Sequence, residues 1–212
     1  MGWNFYNGAG AAKTTSSVTF VTSLPSSPFD GQEIYYQSTA SGTGGGATNT
    51  MADVGAVWHL RYRAGSASSY KWEAVGAARV GEYSVGGRVY ATRETTTSTT
   101  HTTLATIGPR VKAPLAGDYQ VTFSVNCLQA GTAGAPLIAV IVGSEAGTVW
   151  SVAADGVMYG GSGSAASGGI AGMRVRTAAA LDYIQLYYST SNASGAGEFW
   201  NRNISITPIR VG

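Results

Sequence analysis

Apolar and polar residues alternate along most of this chain, a spacing typical of half-buried β-strands rather than of helices. In the segment 57–64, for example, the large apolar side chains of Trp58, Leu60 and Tyr62 occupy every second position. Clusters of Gly, Pro, Ser and Asn interrupt the alternation at short intervals, as turns between strands do. The sequence therefore predicts an all-β protein.

The alternation predicts short strands first and longer strands later in the chain. The predicted strands cover residues 33–36, 57–64, 70–76, 88–93, 102–107, 118–127, 137–142, 149–153, 170–176, 182–188 and 203–211. Composition changes near residues 77–87, where we place a domain boundary. We expect a small N-terminal antiparallel β module over residues 1–78, followed by a jelly-roll-like β-sandwich over residues 79–212.

Several segments lack the side chains that specify a buried face. Residues 41–50, 160–169 and 191–197 are rich in Gly and Ser and are predicted to form flexible loops. Eight of the twelve residues in the segment 92–103 are Thr, which favours extended backbone but is polar on both faces. This segment is predicted to be either an edge strand or a disordered loop.

Charge is scarce in this protein. Only 11% of the residues are charged, against about 25% in an ordinary globular domain, although 44% are hydrophobic. The net charge is +2, and the basic residues are scattered rather than clustered, so we expect no nucleic-acid partner. Low charge also favours association between identical chains, and a polar, neutral monomer is the alternative.

The sequence offers little chemistry for catalysis or for metal binding. It contains 11 acidic residues and two histidines, and neither His59 nor His101 lies in a metal-ligand spacing. We therefore expect no enzyme activity, no metal site and no cofactor. A hydrolase with paired carboxylates remains the remote alternative, and its candidates would be Asp118, Asp155, Asp182 and Glu198.

The single cysteine and the chain's hydropathy limit its environment. Cys127 lies in phase with the apolar positions of segment 118–127 and is predicted to be a buried, inert thiol. The N-terminus lacks the charged and apolar regions of a secretion signal, so we expect synthesis in a cytoplasm. No apolar run is long enough to cross a membrane, and we expect no membrane insertion.

Aromatic residues are the best candidates for a binding surface. In the N-terminal part, their alternation favours packing in a core over a sugar-stacking platform. In the C-terminal part, Trp150, Tyr159, Phe199 and Trp200 lie at strand ends or beside Gly-rich loops. These four are our candidate residues for binding a glycan or a partner, with core packing as the alternative.

Three sequence motifs carry a resemblance to a known family. Residues 24–36 read Leu-Pro-Ser-Ser-Pro-Phe-Asp-Gly-Gln-Glu-Ile-Tyr-Tyr, residues 57–64 read Val-Trp-His-Leu-Arg-Tyr-Arg-Ala, and residues 70–76 read Tyr-Lys-Trp-Glu-Ala-Val-Gly. Over about residues 18–78 the chain resembles a small β module of minor tail and tail-fibre proteins of tailed bacteriophages, especially those of actinobacteria. More loosely, residues 107–119 and 206–211 are similar to the β-sandwich domains that follow such modules.

The resemblance implies a structural protein of the virion, assembled in the host cytoplasm and located at the tail or capsid surface. It implies a homo-oligomer, most often a trimer, that contacts other virion proteins and the host surface. Our own hypothesis is that the host ligand is a cell-surface glycan, bound through the Gly-rich loops and loop aromatics. The N-terminal module would dock to the virion and the sandwich would face outward. The short chain favours a compact tip, knob or head-decoration protein over a long fibre. A capsid decoration protein without a ligand and a glycan depolymerase are the alternatives.

Overall fold

The computed structural model describes residues 19–37, 57–77, 85–86, 93–130, 135–143, 158–159 and 167–212. Regular structure in these residues is entirely β, which confirms the predicted all-β class. In chain order the strands are β1 Thr19–Val21, β2 Glu33–Gln37, β3 Val57–Tyr62, β4 Trp72–Ala77, β5 Val85–Gly86, β6 Glu94–Thr96, β7 Arg110–Lys112, β8 Gly117–Ala130, β9 Pro136–Gly143, β10 Met158–Tyr159, β11 Ser167–Ala178, β12 Tyr183–Thr190 and β13 Ala196–Val211.

The strands form two sheets. The larger sheet has the order β1-β2-β3-β4-β13-β8-β11, and β5 and β6 also pair with β13. The smaller sheet has the order β10-β9-β12-β7. From β10 onward, consecutive strands alternate between the two sheets, as they do in jelly rolls. The arrangement is a β-sandwich, as the sequence predicts.

The core lies between the inward faces of the two sheets. On β8 every second residue is buried, and this inward set contains Tyr119, Val121 and Phe123. The inward side chains of the small sheet, among them Ile184 and Leu186, belong to the same core cluster. Cys127 is fully buried, as predicted, and burial raises the pKa of its thiol to about 11, so the unreactive thiol form prevails at neutral pH.

The N-terminal strands continue this sheet and this core. Trp58 and Leu60 on β3 are fully buried, which confirms core packing for these two residues. The Trp58 ring lies 6.1 Å from the ring of Tyr119 on β8. The predicted domain boundary near residue 78 falls outside the described residues, and the division into two domains stays a prediction. The described strands on its two sides share one sheet and one core cluster.

Two predictions for the Thr-rich region have different outcomes. Residues 94–96 form β6, which pairs with β13 alone among the described strands, in agreement with the edge-strand interpretation. The strand predicted over 102–107 is wrong, because only Thr102 forms a bridge there, with Tyr188. Few large apolar side chains occupy this segment, so little burial favours an extended strand over a loop.

A β-bulge divides β13 into two halves. The register against β8 shifts between Trp200 and Asn203, and Asn201 has a positive φ of 46°. The bulge places Arg202 in the interior, where its Nη2 atom lies 2.9 Å from a carboxylate oxygen of Glu94. This buried ion pair ties β6 to β13.

We expect Gly117→Ala to destabilise the protein strongly, because β8 and β13 approach too closely for a side chain there. A Cβ atom at Gly117 would lie 2.7 Å from Val211 Cγ1 and would clash with the Arg210 carbonyl. The expected loss is about 2 kcal/mol in the free energy of unfolding, measured by urea denaturation. Gly168→Ala is the matched control, since no atom lies within 4 Å of its added Cβ. Equal stability of the two variants would contradict the observed register.

Candidate interaction surface

The outward face of the large sheet presents its side chains in regular rows. Because strand partners share a face, the outward residues of β13, β8 and β11 line up across the three strands. The four central rows are Trp200 with Asn126 and Gly169, Asn203 with Ser124 and Ala171, Ser205 with Thr122 and Met173, and Thr207 with Gln120 and Val175. None of these twelve residues is charged.

Hydroxyl and amide groups dominate the β13 and β8 positions of these rows. The Thr122 and Ser205 hydroxyls lie 2.6 Å apart and share a hydrogen bond. Together with Ser124 and Asn203 they line a shallow depression in the sheet face. Each such group can both donate and accept hydrogen bonds. The surface therefore suits a polar, uncharged partner.

The β11 side of the same face is apolar. Met173 and Val175 are each 57% exposed, and their backbones belong to a strand of 12 residues. Among the described strands of its sheet, β11 pairs with β8 alone and forms the edge. Long edge strands with exposed apolar side chains commonly pair with another chain or are covered by one.

A row of charged residues bounds the central rows at one end. Its members alternate in sign across the sheet, so each acidic residue has a basic cross-strand neighbour. In order from β2 to β8 the row contains Glu33, Arg61, Glu73, Arg210 and Asp118. The Asp118 carboxylate also accepts a 2.7 Å hydrogen bond from the Thr177 hydroxyl on β11. The charge row thus extends across both predicted parts of the chain.

Glu33 is the most tightly held carboxylate of this row. It forms an ion pair with Arg61, and one of its oxygens lies 3.0 Å from Nε2 of His59. The hydrogen bond from Arg61 is the largest influence that holds the pKa of Glu33 below its ordinary value, with a smaller contribution from His59. Glu33 is therefore ionised at neutral pH and fixes the two basic side chains beside it.

The other end of the central rows carries an aromatic residue with an ion pair. The guanidinium of Arg93 lies 4.5 Å from the ring centre of Trp200, close enough for a cation–π contact. Arg93 also donates a 2.9 Å hydrogen bond to the Glu198 carboxylate, which belongs to the same face of β13 as Trp200. Arg93 therefore fixes the orientation of the half-buried indole.

Of the four aromatic residues predicted to form a binding surface, the two on β13 lie on opposite faces of the sheet. Phe199 is fully buried, with its ring 4.9 Å from that of Tyr188, so it is a core residue and is not available to stack on a ligand. Trp200, its neighbour, lies on the opposite, outward face. Tyr159 lies on β10 opposite Leu137, and Trp150 lies outside the described residues.

Comparison with known proteins adds no family to this description. No protein-family model matches the chain, and no curated protein is significantly similar to it. Within the described residues, no helix could span a membrane. The same part of the chain contains no group of three or more His, Cys, Asp or Glu residues placed to hold a metal ion.

We expect the contribution of Glu33 to the free energy of unfolding to change with pH in the acidic range. Because the folded-state pKa of Glu33 is lowered, its contribution is fully present above its ordinary value of 4.5 and is lost as pH falls through the folded-state pKa. Melting temperatures of the wild type and of Glu33→Gln, measured from pH 7 to pH 2, should differ most at neutral pH and converge in acid. A constant difference at every pH would show that the ion pair with Arg61 does not stabilise the fold.

Proposed function

We propose that this protein is a structural component of a bacteriophage virion. In this proposal the protein is located at the phage tail, forms a homo-oligomer and attaches the particle to the host surface. The family resemblance favours a trimer. Support comes from the motifs of residues 18–78 and from the all-β sandwich that follows them. The single observation that carries the proposed self-association is the set of uncharged central rows on the outward face of β13, β8 and β11.

The chemistry of this face favours a second copy of the same chain as its partner. In a symmetric assembly, residues near the axis meet their own copies. Charged residues there would meet like charges, which repel each other. Ser124, Thr122 and Ser205 avoid this cost, because a hydroxyl can donate to one copy and accept from another. A partner of a different sequence would not require such self-complementary groups.

The surroundings of the face match the usual anatomy of a protein interface. Interfaces combine an uncharged, partly apolar centre with a charged, solvated rim. Here Met173 and Val175 supply exposed apolar area beside the hydroxyl groups. The charge row, which includes Asp118 and Arg210, borders the central rows at one end, and Arg93 with Glu198 borders them at the other. Burial of the central rows would leave these ion pairs at the rim.

We expect Ser124→Glu to convert the oligomer into a monomer without unfolding the chain. The substitution introduces a charge into the centre of the uncharged rows at an exposed position, so identical charges would face one another in the assembly. The molar mass, measured by light scattering after size-exclusion chromatography, should fall from three times 21.7 kDa to 21.7 kDa. Ser26→Glu, at an exposed turn outside the large sheet, is the control and should leave the mass unchanged.

Immunogold electron microscopy of purified phage particles tests the location. We expect label at the tail, with an antibody against this chain. Label over the capsid would instead support the second role that the resemblance allows, a decoration protein without a host ligand. Absence of label, with the epitope shown to be accessible on the purified protein, would contradict a virion component.

A further inference from the structure

Three aromatic rings form a row on the outward face of the N-terminal strands. Phe20, Tyr35 and His59 are cross-strand neighbours on β1, β2 and β3. The rings of Phe20 and Tyr35 lie 5.1 Å apart, and those of Tyr35 and His59 lie 4.8 Å apart. Phe20 is 59% exposed. We call these three residues the aromatic row.

The core does not account for the aromatic row. On the same strands, the inward residues Tyr36 and Trp58 are buried and supply the aromatic contacts of the core. The aromatic row points away from that core. An exposed Phe beside a half-buried Tyr gains little from folding, since its apolar surface stays in water. Aromatic rings that cluster at a protein surface, outside the core, are typical of a ligand-binding or partner-binding site.

Hydrogen-bonding groups lie directly beside the rings. Glu33 and Arg61 line a shallow depression together with Asp30 and Arg63, next to the His59 end of the aromatic row. The Glu33 carboxylate contacts both His59 and Arg61, so acceptor and donor groups alternate within a few ångströms. Both guanidinium groups are neutralised here, because Glu33 pairs with Arg61 and Glu73 pairs with Arg63 at 2.9 Å. The Asp30 carboxylate accepts a 2.8 Å hydrogen bond from the backbone N–H of Ala64.

We propose that the aromatic row and the adjoining Glu33 and Arg61 bind a neutral saccharide. Sugar rings expose C–H groups on a flat face, which pack on aromatic rings because the face of an aromatic ring carries partial negative charge. Sugar hydroxyls both donate and accept, so they suit the carboxylate of Glu33 and the guanidinium of Arg61.

The balance of charge selects the kind of saccharide. The guanidinium groups of Arg61 and Arg63 each already have a carboxylate partner, so neither is left to attract the anionic groups of a sulfated or uronic acid polymer. An uncharged ligand binds without separating these ion pairs. This inference does not rest on the proposed place of the protein in a virion, since it concerns a site within the isolated chain.

The test is binding of the purified full-length protein to immobilised dextran, mannan, galactan and arabinan, measured by biolayer interferometry. We expect the wild type to bind at least one of these neutral polymers, and dextran sulfate to bind no more tightly than dextran. Phe20→Ala and Tyr35→Ala should each weaken binding about tenfold or more, since a loss of about 1.4 kcal/mol has that effect.

Matched controls separate the aromatic row from general surface hydrophobicity. Phe29→Ala removes a ring that is 68% exposed and lies outside the row, and it should change affinity less than about twofold. Tyr35→Phe keeps the ring and should retain binding. Thermal melting of every variant establishes that the chain is folded.

Three results would overturn the proposal. One is a wild type that binds none of the four neutral polymers. Another is a folded Phe20→Ala variant with unchanged affinity. The third is capture of a phage protein through Phe20 in place of any polysaccharide, which would make the aromatic row a protein-docking surface. Because the immunogold experiment measures location alone, its failure and the failure of this site are distinguishable.

Discussion

The structure depends on the pairing of β13 with strands from both parts of the chain. Arg210 is the cross-strand neighbour of Glu73 on β4 and of Asp118 on β8. Val211 beside it is fully buried and lies opposite Trp72 and Gly117. The last residues of β13 therefore join the N-terminal strands to the sandwich through backbone pairing and buried apolar side chains. Arg210 also lies 3.9 Å from the Asp118 carboxylate on β8. Without this strand pairing, β1–β4 would be a four-stranded sheet with one apolar face uncovered.

The pairing of β13 with β4 and β8 also determines which side chains lie on the outward face. Side chains alternate between the two faces of every strand, so the register that buries Val211 also aligns the charge row on the other face. A slip of one residue would bury Arg210 and expose Val211. The register that packs the core correctly therefore also produces a continuous outward surface. The central rows, the charge row and the aromatic row all take their positions from this register.

The proposed roles divide this outward surface between different partners. The uncharged rows of β13, β8 and β11 suit copies of the same chain, since their hydroxyl and amide groups are self-complementary. The aromatic row lies toward the opposite edge of the sheet, on β1–β3, beside ion pairs that favour a neutral ligand. Such an arrangement allows self-association and ligand binding on one sheet without competition for the same residues.

Local alternation in the sequence was sufficient to predict most of the fold. The strands around Trp58, Tyr119 and Ile184 are predicted to within a few residues, because large apolar side chains occupy every second position there. The same rule could not predict that Phe199 is buried. The bulge at residues 201–202 shifts the alternation of buried and exposed positions along β13 by one residue, and no local sequence pattern indicates a bulge there. The strand pairing at Arg210 and the grouping of Phe20 with His59 could not be predicted from local sequence either, because both depend on pairing between segments that are distant in the chain.

Protection of Met173 in the assembled protein tests the central claim most directly, namely that copies of this chain bury the outward face of β13, β8 and β11. Hydroxyl-radical footprinting with mass spectrometry would compare oxidation of Met173, which is 57% exposed in the single chain, with that of Phe29, which is 68% exposed and lies outside the face. We predict that Met173 is protected in the wild type and becomes reactive in the Ser124→Glu monomer, whereas Phe29 reacts equally in both. Rapid oxidation of Met173 in the wild type, at the rate found in the variant, would contradict the account.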